Sequence, residues 1–112
     1  MKAILKKPRR NAQVVDVENT LDGIRSAIGG YFEALIFSEE HNIIMICDES
    51  GKLKGLDFNF SLYGNDGSVI DHIVGNVLFV SAKGEDLREL DGDQIDYLMK
   101  YFNVSAKQVY PK

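Results

Sequence analysis

The 112 residues are 45% hydrophobic and 27% charged, the balance of a globular chain rather than a disordered one. The formal net charge of −4 divides unevenly: residues 1–10 hold five basic residues and no acid, which leaves 8 basic against 17 acidic, or −9, over the rest. No apolar run approaches the roughly 18 residues that span a bilayer and no h-region of a secretory signal opens the chain, so a cytoplasmic protein without membrane contact is expected.

One domain over 1–112 is expected, with 1–12 as a basic strand and loop and 103–112 as a frayed tail. Lys2–Lys6 reads as a short strand that Pro8 stops, and Gln13–Val17 resumes it. The two form a first hairpin or a split edge pair, with the basic run Lys6–Arg10 near its tip. These charges read as a solvated loop that discourages edge pairing. Beside an acidic body they are a weak nucleic-acid signal.

A helix starts at Thr20, with Asn19 or Thr20 able to cap free N–H groups. Leu21, Ile24, Ala27 and Ile28 share one face, and Gly29-Gly30 ends the helix. Tyr31–Phe37 and Asn42–Asp48 follow as two strands around the polar turn Ser38–His41. Both strands are apolar on both faces, which predicts a central hairpin covered on both sides. His41 reads as an exposed loop residue. Ser50-Gly51 is a turn, after which a short strand is expected at Lys52–Leu56.

Residues 57–71 fit no regular element, although Phe58, Phe60, Leu62 and Tyr63 are too apolar for a free loop. A long irregular connection in a compact domain is usually functional or mobile, so this segment is the expected binding surface. His72–Ala82 reads as one core strand, with Gly75 marking a bulge or a close backbone approach. Asp91 and Gln94 have the spacing of a capping box, and Ile95, Leu98, Met99 and Phe102 follow at helical spacing. Asn103 is placed to cap this second helix. The tail beyond it is an edge strand or frays.

No chemistry-bearing pattern emerges. His41 and His72 are 31 positions apart without a His-x-x-x-His pair, and the acids of 85–96 lack the ligand spacing of an EF-hand. Asp71 and His72 are strand neighbours that point to opposite faces, no Gly-x-Ser-x-Gly occurs, and the glycines match no phosphate-binding fingerprint. Cys47, the only cysteine, lies in an apolar run and reads as a buried hydrophobe. No enzyme activity, metal or cofactor is expected.

Asn19-Thr20-Leu21, Gly29-Gly30-Tyr31, Asp48-Glu49-Ser50-Gly51-Lys52-Leu53, Gly55-Leu56, Asn59, Ile73-Val74-Gly75-Asn76-Val77 and Asp93-Gln94-Ile95 together resemble the domain of unknown function 3846 family. These are small proteins of bacteria, phages and mobile elements. The resemblance covers about residues 13–102, with the basic arm and the tail outside it. It implies an accessory protein of mobile-element type and transfers no site residue.

The sequence therefore predicts an α+β fold: a mostly antiparallel sheet of four to six strands with two helices packed on it. It predicts a non-enzymatic binding or regulatory module that acts on a host protein. Two other readings stand beside that one. In one, the 57–71 segment covers a small-ligand pocket; in the other, the chain is a structural homo-oligomer. The candidate contact residues are Lys52, Phe58, Asn59, Phe60, Tyr63 and His72. Partners are a host protein or a second copy, and nucleic acid is not expected.

Overall fold

The computed structural model describes residues 1–104. Its strands are β1 (Lys2–Lys6), β2 (Gln13–Asp16), β3 (Phe32–Ser38), β4 (Ile43–Asp48), β5 (Phe58–Tyr63), β6 (Val69–Val74), β7 (Val77–Lys83) and β8 (Asp86–Arg88). Helix α1 (Leu21–Ile28) lies between β2 and β3, and α2 (Gly92–Met99) follows β8. The fold is α+β. Six strands form an antiparallel sheet in the order β2-β1-β7-β4-β3, with β8 on β7, and β5-β6 form a separate ribbon.

The centre of the sheet is β7. Val77, Leu78, Phe79 and Val80 are fully buried, because β1 and β4 flank the strand and both of its faces are covered. One face packs Ala3, Ile46, Leu78 and Val80 against Ile24 and Ile28 of α1. The other packs Ile4, Met45 and Phe79 against Leu98 of α2, Phe102 and the inner side of the ribbon. Phe79 meets Phe37 edge to face at 5.0 Å and tilts against Phe102 at 5.2 Å.

Both helices begin where side-chain oxygens meet the free N–H groups. Thr20 Oγ1 accepts from the Gly23 N–H at 3.0 Å. Asp91 Oδ1 accepts from the Gln94 N–H at 2.9 Å, and Gln94 Oε1 accepts from the Asp91 N–H at 2.8 Å, which completes the capping box. Each helix has only eight residues, too few to persist without packing. Gln94 adds a second function: its Nε2 donates to the carbonyls of His41 and Asn42 and anchors α2 to the β3–β4 turn. No helix among the described residues is long and apolar enough to cross a membrane.

Several expectations are corrected. Residues 52–55 form turns and Leu56 lies in no strand, while 57–71 holds most of an antiparallel ribbon, β5-β6. The expected strand 72–82 is two strands, because the chain turns a corner at Gly75-Asn76 and leaves the ribbon for the sheet. Of the expected central hairpin, β4 is central but β3 is an edge, with Ile36 64% exposed. His41 is half-buried and stacks on Tyr97 at 3.9 Å. Asn103 does not cap α2. The chain continues into a π-helical turn, Lys100–Val104, and Asn103 instead bonds Ala12. Tail residues 105–112 lie outside the described residues.

Candidate functional site

Five of the six candidate residues lie on the ribbon, where strand alternation and two irregularities in register divide them. Phe58, 54% exposed, meets His72 edge to face at 5.8 Å, and His72 Nδ1 lies 2.9 Å from Ser61 Oγ. Tyr63 is exposed at the end of β5. Lys52 reaches the ribbon from the preceding turn and pairs with Asp71 at 2.6 Å, which holds the Asp71 carboxyl below its usual range. Phe60 faces inward, 4.9 Å from Phe102 and 6.2 Å from Phe79.

Asn59 faces the sheet and bonds with all three of its polar groups in use. Its Nδ2 donates to the carbonyls of Lys6 and Gly75 at 2.8 and 2.7 Å, and its Oδ1 accepts from Lys6 Nζ at 3.0 Å. Lys6 Nζ also donates to the Lys7 carbonyl at 2.8 Å, and burial pushes the Lys6 amine down from its usual pKa. At the other end of the basic loop, Asn103 Oδ1 accepts from the Ala12 N–H at 2.8 Å and its Nδ2 donates to the Ala12 carbonyl at 3.3 Å. Two asparagines thus pin residues 7–11 from both sides. Within the loop, the Arg10 N–H donates to the Lys7 carbonyl at 3.2 Å, and Arg9 sits at φ 60°. Nothing local in the sequence marks this arrangement, because Asn59 and Asn103 are 53 and 91 residues from their partners.

The groove beside the ribbon is small. About 150 Å³ opens between β6 and the β3-β4 pair, walled by Lys52, Asp71, His72, Glu33, Leu35 and Cys47. Small-molecule pockets begin near roughly 300 Å³. Burial first, then the Glu33 carboxylate, push the Cys47 thiol up to about 11, so it carries little thiolate at neutral pH. Among the described residues, no cluster of three or more histidine, cysteine or acidic side chains is placed to hold a metal.

A different open feature is the β3 edge, Phe-Glu-Ala-Leu-Ile-Phe-Ser. The Glu49 N–H donates to the Tyr31 carbonyl at 3.2 Å, and Phe32 stands opposite Asp48. The alternation of an antiparallel ladder then turns the N–H and C=O groups of Phe32, Ala34 and Ile36 away from β4. Edges are usually blunted by lysine, proline or bulges. This strand has neither lysine nor proline, its one charge is the exposed Glu33, and only its last residues carry a register shift, between Ile36 and Ser38. Leu35 is 39% exposed on one face of the strand, and Ile36 is exposed on the other.

A family model described as Domain of unknown function (DUF3846) matches residues 1–103. The chain belongs to the DUF3846 family. The match begins at Met1 rather than near residue 13, so the basic arm lies inside the DUF3846 region. The fold gives the reason: β1 lies between β2 and the central β7 and is part of the sheet, not an appendage. The pinned loop and the β3 edge both fall within this DUF3846 region. No curated protein and no solved structure matches the chain.

Proposed function

We propose that this chain is a non-enzymatic binding module of phage or mobile-element type that acts on a host protein by taking a strand of that partner onto β3. The β3 edge, which no strand covers among the described residues, carries the reading. It offers outward backbone groups at three alternate residues, with apolar side chains on both faces of the strand, which is what strand addition uses. The strongly acidic chain beyond residue 10 favours a basic partner, so added salt weakens the complex.

The test is native mass spectrometry of complexes from host lysate, comparing the natural chain with Ala34→Pro and Ile36→Lys. Proline at position 34 removes an N–H that β4 does not use. A host protein that accompanies the natural chain and is lost from both variants supports the reading. Retention of that protein by both variants, or its absence throughout, overturns it. A dimer of the chain alone, abolished by both variants, reassigns the edge to a second copy.

A further inference from the structure

The basic loop walls a second opening, on the side of β5. A cleft of about 260 Å³ lies between the loop and the ribbon, lined by Lys6, Arg9, Arg10, Asn11, Phe58 and Asn59, with Phe102 at its base. Among the described residues, no carboxylate lines it. A larger cavity of about 400 Å³ shares Arg9 and Arg10 but includes Asp48 and Asp57, so an anion is better placed on the acid-free side.

Four observations point to the ligand. The side chain of Arg10, which lines the cleft, makes no ion pair or hydrogen bond among the described residues. Among the described residues, Arg9 is held by an exposed pair with Asp57 at 3.1 Å, of a kind that contributes little and is readily exchanged. The loop is fixed in advance by Asn59 and Asn103, so little ordering is needed on binding. Phe58 offers a half-exposed aromatic ring beside the guanidinium groups. Guanidinium forks match phosphate oxygens, and an aromatic ring accepts a planar base. At about 260 Å³ the cleft lies just under the roughly 300 Å³ of a small-molecule pocket, so it takes one phosphoryl group and part of one nucleoside and leaves the rest in solvent.

We propose that this cleft binds a nucleoside monophosphate, with the phosphate on Arg10 and Arg9 and the base against Phe58. The proposal is independent of the β3 edge. Its test is calorimetric titration of the full chain, at low salt, with adenosine 5′-monophosphate, adenosine, inorganic phosphate and a single-stranded thymidine oligonucleotide. The expected result is saturable binding of the monophosphate, tighter than either fragment. Arg10→Gln is expected to weaken it roughly tenfold. Phe58→Ala is expected to weaken the monophosphate but leave phosphate unchanged. Both side chains are exposed, and an unchanged amide NMR spectrum confirms that each variant is folded. Several outcomes overturn the proposal: no saturable binding, equal affinity in Arg10→Gln, phosphate as tight as the monophosphate, or binding of the oligonucleotide alone.

Discussion

Lys6 and Asn59 hold each other twice. The Lys6 ammonium donates to the Asn59 Oδ1 at 3.0 Å, and the Asn59 amide donates back to the Lys6 carbonyl at 2.8 Å. This exchange, with the further bond to the Gly75 carbonyl, ties the ribbon to the end of β1. Asn59→Leu strands two carbonyls and removes one partner of an ammonium. Each stranded polar group costs about 1–3 kcal/mol, and partial access of water lowers the sum. The expected loss is about 2–4 kcal/mol, read as a lower urea midpoint at unchanged slope. A loss below about 0.5 kcal/mol would show that the exchange does not hold the ribbon.

Local chemistry is what the sequence discloses well. The Thr20 cap and the Asp91–Gln94 box bind neighbours within three residues, so both helix starts were legible. The ribbon was not, because register shifts at Phe58/Phe60 and Leu62/Tyr63 break the period-two pattern. Nor was the exposed side of β3, since both hairpin strands read alike. What separates them is that β4 finds a second neighbour, β7, more than 30 residues on, and β3 finds none among the described residues. Phe58 and His72, singled out from the sequence as contact residues, lie against each other on the ribbon. The basic loop read as solvated because its two pins arrive from distant parts of the chain.

Asp48 gives a prediction with a definite pH sign. Its side chain is 2% exposed and accepts from Lys54 Nζ at 2.7 Å and from the Ser50 N–H at 2.8 Å. The Lys54 bond, then the Ser50 bond, hold the carboxyl below its usual pKa against the opposing effect of burial. A carboxylate depressed in the folded state stabilises above its unfolded pKa of about 3.9, and this contribution is lost as pH falls through the lower folded value. Asp48→Asn is expected to cost about 1–3 kcal/mol at neutral pH and to flatten the stability curve below pH about 4. Thermal melts across that range check both. An acid limb as steep in the variant as in the natural chain would assign the dependence to other carboxylates.

Cys47 is expected to be slow to alkylate. With its thiol pushed up to about 11, its thiolate fraction at pH ~8 is on the order of 10²-fold below that of a free cysteine with pKa ~8.5. Burial at 6% exposure slows access further. Iodoacetamide labelling followed by intact mass measures the rate in native buffer, and urea restores the reactive rate. Native labelling as fast as in urea would show that the groove beside β6 opens readily.

The corner between ribbon and sheet rests on Gly75, and a comparison with Gly84 separates two contributions. Gly75 has φ +74° and Gly84 φ +63°. A Cβ on Gly84 meets nothing within 4 Å, whereas one on Gly75 lies 2.7 Å from Leu56 Cδ1. Gly84→Ala therefore carries the left-handed backbone cost alone, about 1–2 kcal/mol. Gly75→Ala adds a steric contribution, of about 1 kcal/mol if the neighbour shifts only in part. Adding Leu56→Ala removes that steric contribution but deletes packing, so the double-mutant coupling, not the total, isolates it. Urea midpoints for the three variants and the double are the measurement. Equal costs at positions 75 and 84 would mean that the Leu56 side chain swings aside, and that the corner needs glycine only for its backbone angle.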